Sequence, residues 1–279
     1  MKSMRLFGSF IFLCCLAGCA NLKEVQSFAG ESAKLSAYTE LTTRFRDTYD
    51  REKPYLSADA DRIAKSNDKR RMEAYADIVK VHQAVSLYMQ TLAKLAGDDT
   101  FDLTKPVGAL GSGIKAYPDL GIQKSHVDAF FSITKIVSRW ATSSYQQRAV
   151  REIVLEADPP IQILLEGMLS LVRYYEKTNE NERDTVLGLL EVEIPFANSP
   201  KDRLLATLAK AHMQAKSSEY QTVKRKYAEA ERGLKSIAEG HRELAGNIDR
   251  LSTQQLKALI EQFASDIQSA REKLNTIGS

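Results

Sequence analysis

The chain has 279 residues, a formal net charge of +3, 43% hydrophobic and 27% charged residues, and only three cysteines. That length and apolar content are enough for one sizeable domain or two small ones. A charge so near zero gives no electrostatic case for binding nucleic acid, nor for a general attraction to anionic lipid.

The first element is not part of a fold. Lys2 and Arg5 are positive, no acid precedes Glu24, and every residue from Leu6 to Ala20 is apolar or small. A charged start followed by a short apolar run has the layout of a secretory signal. About 15 residues is short of the roughly 20 that span a bilayer as a helix. The run ends Leu16-Ala17-Gly18-Cys19, which resembles the lipobox of bacterial lipoprotein precursors. The resemblance covers about the first twenty residues. It implies diacylglycerol (palmitate-type) modification of the Cys19 thiol, cleavage between Gly18 and Cys19, and acylation of the new N-terminus. Ala20 after the cysteine implies, by the same family's sorting rule, the periplasmic face of the outer membrane if the host has two membranes.

Loss of the signal peptide, residues 1–18, leaves 261 residues and lowers the net charge to +1. Cys14 and Cys15 read as small hydrophobes of the discarded segment. Cys19 alone then remains, as a thioether, and no disulfide is possible. One acyl chain holds a protein only marginally, whereas two or three hold it stably.

The rest reads as all-α: an elongated antiparallel bundle of long helices with coiled-coil-like seams. A first helix is predicted from Leu22 or Glu31 to Tyr49, on the spacing of Phe28, Leu35, Tyr38, Thr42 and Phe45. The later start makes residues 19–30 a lipidated tether and 31–279 the bundle domain. Pro54 closes this segment. Ser57 or Asp59 caps a long second helix to about Ala96, with Ile78, Val81, Val85, Tyr88, Leu92 and Leu95 on one stripe. Met72, Tyr75, Val79, His82 and Met89 form a second, so this helix is covered from two sides.

Residues 97–122 interrupt the pattern with five glycines, two prolines and the acidic run Asp98 to Asp102, and mark a possible subdivision. A helix is then expected from Lys124 to Glu156, ended by Asp158-Pro159-Pro160. Another begins at Ile161 and meets a wholly polar stretch, Lys177 to Asp184, read as a turn near Asn179 or a solvated segment. Beyond Pro200 the longest helical region carries Leu204, Leu208, Ala211 and Ala215, then Leu234, Ile237, His241, Leu244, Ile248 and Leu251. Ser252 to Gln255 fits a capping box before a last helix from about Ile260 to Ile277.

Chemistry-bearing motifs are sparse. No two of His82, His126, His212 and His241 lie within four residues, so helical zinc spacing is absent, and His82 and His241 sit on apolar stripes as core residues. Gly108 to Lys115 has the glycine spacing of a phosphate-binding loop, but Ile114 stands where lysine must reach the phosphates. Asp98, Asp99 and Asp102 lack the alternation of a calcium loop. No nucleophile motif occurs, and Trp140 reads as a seam residue. No catalytic, cofactor or metal site is assigned; lipidation at Cys19 and cleavage after Gly18 are the only site expectations.

The function expected is a lipid-anchored, non-catalytic structural or interaction module of the bacterial envelope. It would be held to the membrane through Cys19 and would meet a protein partner there, with no nucleic acid. A carrier of lipid or another apolar ligand is the alternative, and an envelope enzyme ranks last. The sequence leaves the oligomeric state open.

Overall fold

The computed structural model describes residues 22–97, 101–111, 113–143 and 147–277. Gly18, Cys19, Asp98 and Asp99 lie outside them. The fold is an all-α antiparallel bundle. Its long helices are α4 (Ala58–Ala96), α6 (Lys124–Trp140), α7 (Gln147–Glu193), α8 (Arg203–Gly246) and α9 (Gln254–Thr276). Short helices α1 (Lys23–Ser32), α2 (Ser36–Arg46), α3 (Thr48–Glu52) and α5 (Thr104–Ala109) complete it. The α7–α8 hairpin is the spine; α9 packs on α8, α1 on α4 and α9, and α6 on α7. A two-residue antiparallel pairing joins Phe101–Asp102 to Thr142–Ser143. No described helix is long and apolar enough to cross a membrane.

Order begins at the earlier of the two predicted starts. Leu22, Val25, Phe28 and Ala29 are all buried in the core, so residues 22–30 belong to the bundle rather than to a tether. The first predicted helix is broken twice, at Ala33–Leu35 and at Asp47, neither carrying proline or glycine. Leu110, Ile114, Leu120 and Ile122, from the glycine-rich segment, join the same core as the helices on either side.

Two glycines on α8 seat the N-terminal segment. A Cβ on Gly240 would lie 2.5 Å from Phe28 Cε2, and one on Gly233 would lie 2.5 Å from the Tyr38 hydroxyl. That hydroxyl donates to the carbonyl of Ala230 at 3.1 Å. Glycine inside a helix costs about 0.5–1 kcal/mol against alanine; here the close approach of two buried rings offsets it. Gly240→Val is therefore expected to destabilise by about 1–3 kcal/mol and to expose α1 amides to hydrogen exchange. Gly30→Ala, with no heavy atom within 4 Å of the added carbon, should be neutral or slightly stabilising. Equal effects at both positions would contradict the seating.

Three other expectations are corrected. The predicted 124–156 helix is two helices, separated after Trp140. Pro159 and Pro160 do not end a helix but lie inside α7. Each proline removes a backbone hydrogen bond, to the carbonyl of Leu155 or Glu156, and both of those residues are exposed, so water reaches the freed oxygens. On the opposite face Val154, Ile161, Leu164 and Leu165 are fully buried. At about 1.5–3 kcal/mol per large side chain, they outweigh the roughly 3 kcal/mol cost of each proline. Finally, α8 stops at Gly246, and a short 3-10 turn over Ile248–Arg250 takes up the end of its predicted stripe. The next cap position is Thr253 rather than Ser252, and it makes no side-chain capping bond.

Candidate functional site

The polar stretch Lys177 to Asp184 is neither a turn nor a solvated segment. Within continuous α7 it contributes Asn179 and Glu182 to the interior, and the Glu182 side chain has no exposed surface. Arg51 from α3 meets Glu182 with two hydrogen bonds, Nε to Oε1 at 2.9 Å and a terminal nitrogen to Oε2 at 2.7 Å. Tyr220 of α8 donates to Oε1 at 3.1 Å. Arg44 of α2 lies 3.9 Å from the same oxygen, pairs with Glu219 at 2.9 Å, and donates from Nε to Asn179 at 3.3 Å. Arg51 also donates to the Arg44 carbonyl at 2.8 Å.

Four elements thus converge on one carboxylate. Burial disfavours the Arg51 cation, and the Glu182 hydrogen bonds and charge outweigh it, so this guanidinium is held more firmly protonated than usual. Tyr220 is pushed well above the usual phenol range, first by burial and then by the Glu182 charge. Arg51 and Tyr220 are thus each held in one ionisation state around neutral pH, which suits a structural clamp rather than proton transfer.

A second chain of polar groups crosses the core. Tyr88 of α4 donates to His241 Nε2 at 2.6 Å, and His241 Nδ1 donates to Asp158 of α7 at 2.9 Å. Gln162 holds the same Asp158 oxygen at 3.1 Å and donates to the Ala238 carbonyl at 3.0 Å. The His241 hydrogen bond keeps the Asp158 carboxyl below its ordinary range. The order hydroxyl, imidazole, carboxylate is that of an activated nucleophile. Yet Tyr88 and His241 are fully buried, and burial raises the Tyr88 hydroxyl well above the phenol range. A phenol so disfavoured as an anion, with no surface open to a substrate, ties α4, α7 and α8 together.

His82 is the third feature. It is buried on α4, as its apolar stripe predicts, and its Nδ1 has no hydrogen-bond partner. Burial lowers its pKa to about 4. It lines an open groove of about 490 Å³ between the α1–α2 junction, α4 and α5, together with Leu35, Ser86, Leu87, Pro106 and Leu110.

The remaining residues singled out in the sequence are dispersed. His126 caps α6 with Gln123, and His212 meets the Tyr55 hydroxyl at 2.5 Å on the surface. Asp102 accepts from the backbone of Thr104 at 2.8 Å, as a turn residue does. Gly111 and Gly113 take positive φ, and Lys80 donates to the Gly113 carbonyl, so the glycine-rich loop is pinned to α4. Among the described residues no three His, Cys, Asp or Glu side chains are grouped to hold a metal ion.

Glu182 and its partners were missed, although a signal was present. Tyr175, Asn179, Glu182 and Val186 keep the 4, 3, 4 spacing of the core stripe. No family model matches this chain, nor does any curated protein or solved structure.

Proposed function

We propose that the chain is a lipid-anchored protein of the bacterial envelope whose helical bundle acts as a non-catalytic structural or interaction module. The lipobox-like Leu16-Ala17-Gly18-Cys19 motivates the anchor. The observation that carries the module is the position of the first buried residue. Leu22 packs against Leu251, Leu256 and Ile260, at the turn between α8 and α9. Two residues separate it from Cys19, a reach of about 7 Å. A lipid on Cys19 would hold that end of the bundle against the membrane. The 44 residues of α8 then run to the far end of the spine, roughly 66 Å at 1.5 Å per residue. A protein partner in the envelope would be met along that length, and Ala20 favours the outer membrane as the anchoring surface.

Cys19→Ser tests the anchor. The variant is expected in the soluble periplasmic or secreted fraction, whereas the parent stays with membranes. Retention of the variant in membranes would count against the reading, as would an unmodified position 19 by mass spectrometry of the parent.

The groove beside His82 supports a second reading, a carrier of an apolar ligand. Its volume lies within the range of small-molecule sites, and Leu35, Leu87, Pro106 and Leu110 give its wall an apolar part beside polar residues such as Ser86 and His82. Lipid extracted with the purified chain, and lost in Leu87→Trp, would favour it.

A further inference from the structure

Arg71 stands where the pattern of α4 calls for an apolar residue. It shares the buried stripe with Ala64, Ala74, Ile78 and Val81, and it is only 6% exposed. Its guanidinium carbon lies over the Phe45 ring, 5.9 Å from the centroid, and Phe45 stacks in turn on Tyr175. Nε and Nη2 are enclosed and have no hydrogen-bond partner. Asp68, one turn back, lies 3.6 Å from Nη2, close enough for an ion pair but beyond hydrogen-bond reach. Buried donors left unmet are costly. An arginine at this position calls for an acceptor that the described side chains do not supply.

There is room for one. Arg71 lines a largely polar pocket of about 170 Å³ between α3, α4, α7 and the turn at Pro118–Leu120. Four charged side chains share its wall. Arg70 and Asp119, both exposed, pair with each other at 3.6 Å. Glu52 of α3 is half-buried and, among the described residues, forms no hydrogen bond or ion pair with Arg71 or any other group. Burial pushes its carboxyl up, and the charges of Arg71 and Arg51 only partly oppose the shift. One pocket therefore holds a guanidinium without acceptors and a carboxylate without donors, not joined to each other.

We propose that this pocket binds a small free α-amino acid, with its carboxylate at Arg71 and its ammonium at Glu52. A plain anion would be repelled by Glu52, and a plain amine by Arg71. A zwitterion satisfies both groups at once, through charge-assisted hydrogen bonds. The size agrees. The pocket has roughly the liquid volume of six waters, room for about six non-hydrogen atoms, which is the size of alanine. Asn67 and Asn181 add neutral hydrogen-bonding groups to the wall. The site rests neither on the anchor at Cys19 nor on the groove beside His82.

The test is calorimetric titration of the detergent-solubilised full chain with alanine, each hand separately. Propionate and ethylamine, which keep one charge each, are the comparisons. Alanine of at least one hand is expected to bind saturably, with a dissociation constant of about 1 mM or less. Both comparisons should bind at least tenfold more weakly. Arg71→Met should abolish alanine binding. That variant should melt no lower than the ligand-free parent, because methionine removes buried donors that lack acceptors. Glu52→Gln gives an independent reading if Arg71→Met fails to fold: it should bring alanine and propionate to the same affinity. No saturable binding by either hand would overturn the proposal. So would propionate or ethylamine binding as tightly as alanine to the parent, or alanine binding left unchanged in a folded Arg71→Met or in Glu52→Gln.

Discussion

Glu182→Ala is expected to cost about 3–5 kcal/mol of folding stability, the range for removing one partner of a buried ion pair. The loss follows from what stays behind more than from what is taken away. Arg51 keeps only the Arg44 carbonyl at 2.8 Å and the Thr48 hydroxyl at 3.4 Å, and its charge is then largely uncompensated. Tyr220 loses its acceptor in the same step. Arg44 is less affected, because Glu219 still holds it at 2.9 Å. Glu182→Gln, which keeps the shape and one acceptor oxygen, should cost less than the alanine change. The pair Glu182→Met with Arg51→Met should recover most of the loss, since an apolar replacement of both partners is often neutral or stabilising. Urea unfolding followed by circular dichroism separates these outcomes. An alanine variant within about 1 kcal/mol of the parent would mean that water screens the cluster as it screens a surface pair.

This cluster also marks where sequence reading stopped. The apolar stripes of α4, α8 and α9 were legible because a heptad-like spacing survives whatever the helices pack against. Ile78, Val81, Val85, Tyr88, Leu92 and Leu95 are all buried, as the spacing required. Ser57 caps α4 through the Ala60 amide, again as read from residue type. Periodicity carries no information on whether a polar residue on the stripe finds a partner. That depends on Arg44 and Arg51, more than a hundred positions away from Glu182, and on the break at Asp47 that turns them to one side.

The prolines misled for a related reason. Local propensity places a helix end at Pro159, but tertiary burial of the opposite face decides against it. Leu204 and Leu208 misled in the other direction. Their spacing promised a core stripe, and the fold leaves both exposed because no third helix reaches that far along the hairpin among the described residues. The lipobox-like segment lies outside the described part of the chain.

The second large effect is a loss of stability on mild acidification, carried by His82. Its ordinary pKa of 6.5 falls to about 4 in the fold, and burial is the whole cause. The unfolded chain therefore binds a proton at this position before the folded chain does. Stability from this group is complete above about pH 6.5, falls as the pH drops towards 4, and changes no further below that. A tenfold difference in proton affinity is worth about 1.4 kcal/mol, so the loss amounts to about 3 kcal/mol. His126, lowered by burial despite the Glu166 charge, adds a smaller loss of the same sign. Asp158 acts in a separate window. Its carboxyl is depressed, so its contribution persists until the pH falls below the ordinary carboxylate range. His82→Leu should thus flatten most of the slope between pH 6.5 and 4 and leave the loss below that range intact. At neutral pH the variant should be as stable as the parent or slightly more so, because the unpartnered Nδ1 is removed with the ring. Unfolding free energies measured at half-unit steps from pH 7 to 4 decide the matter: parallel curves for parent and variant would place the acid sensitivity elsewhere in the chain.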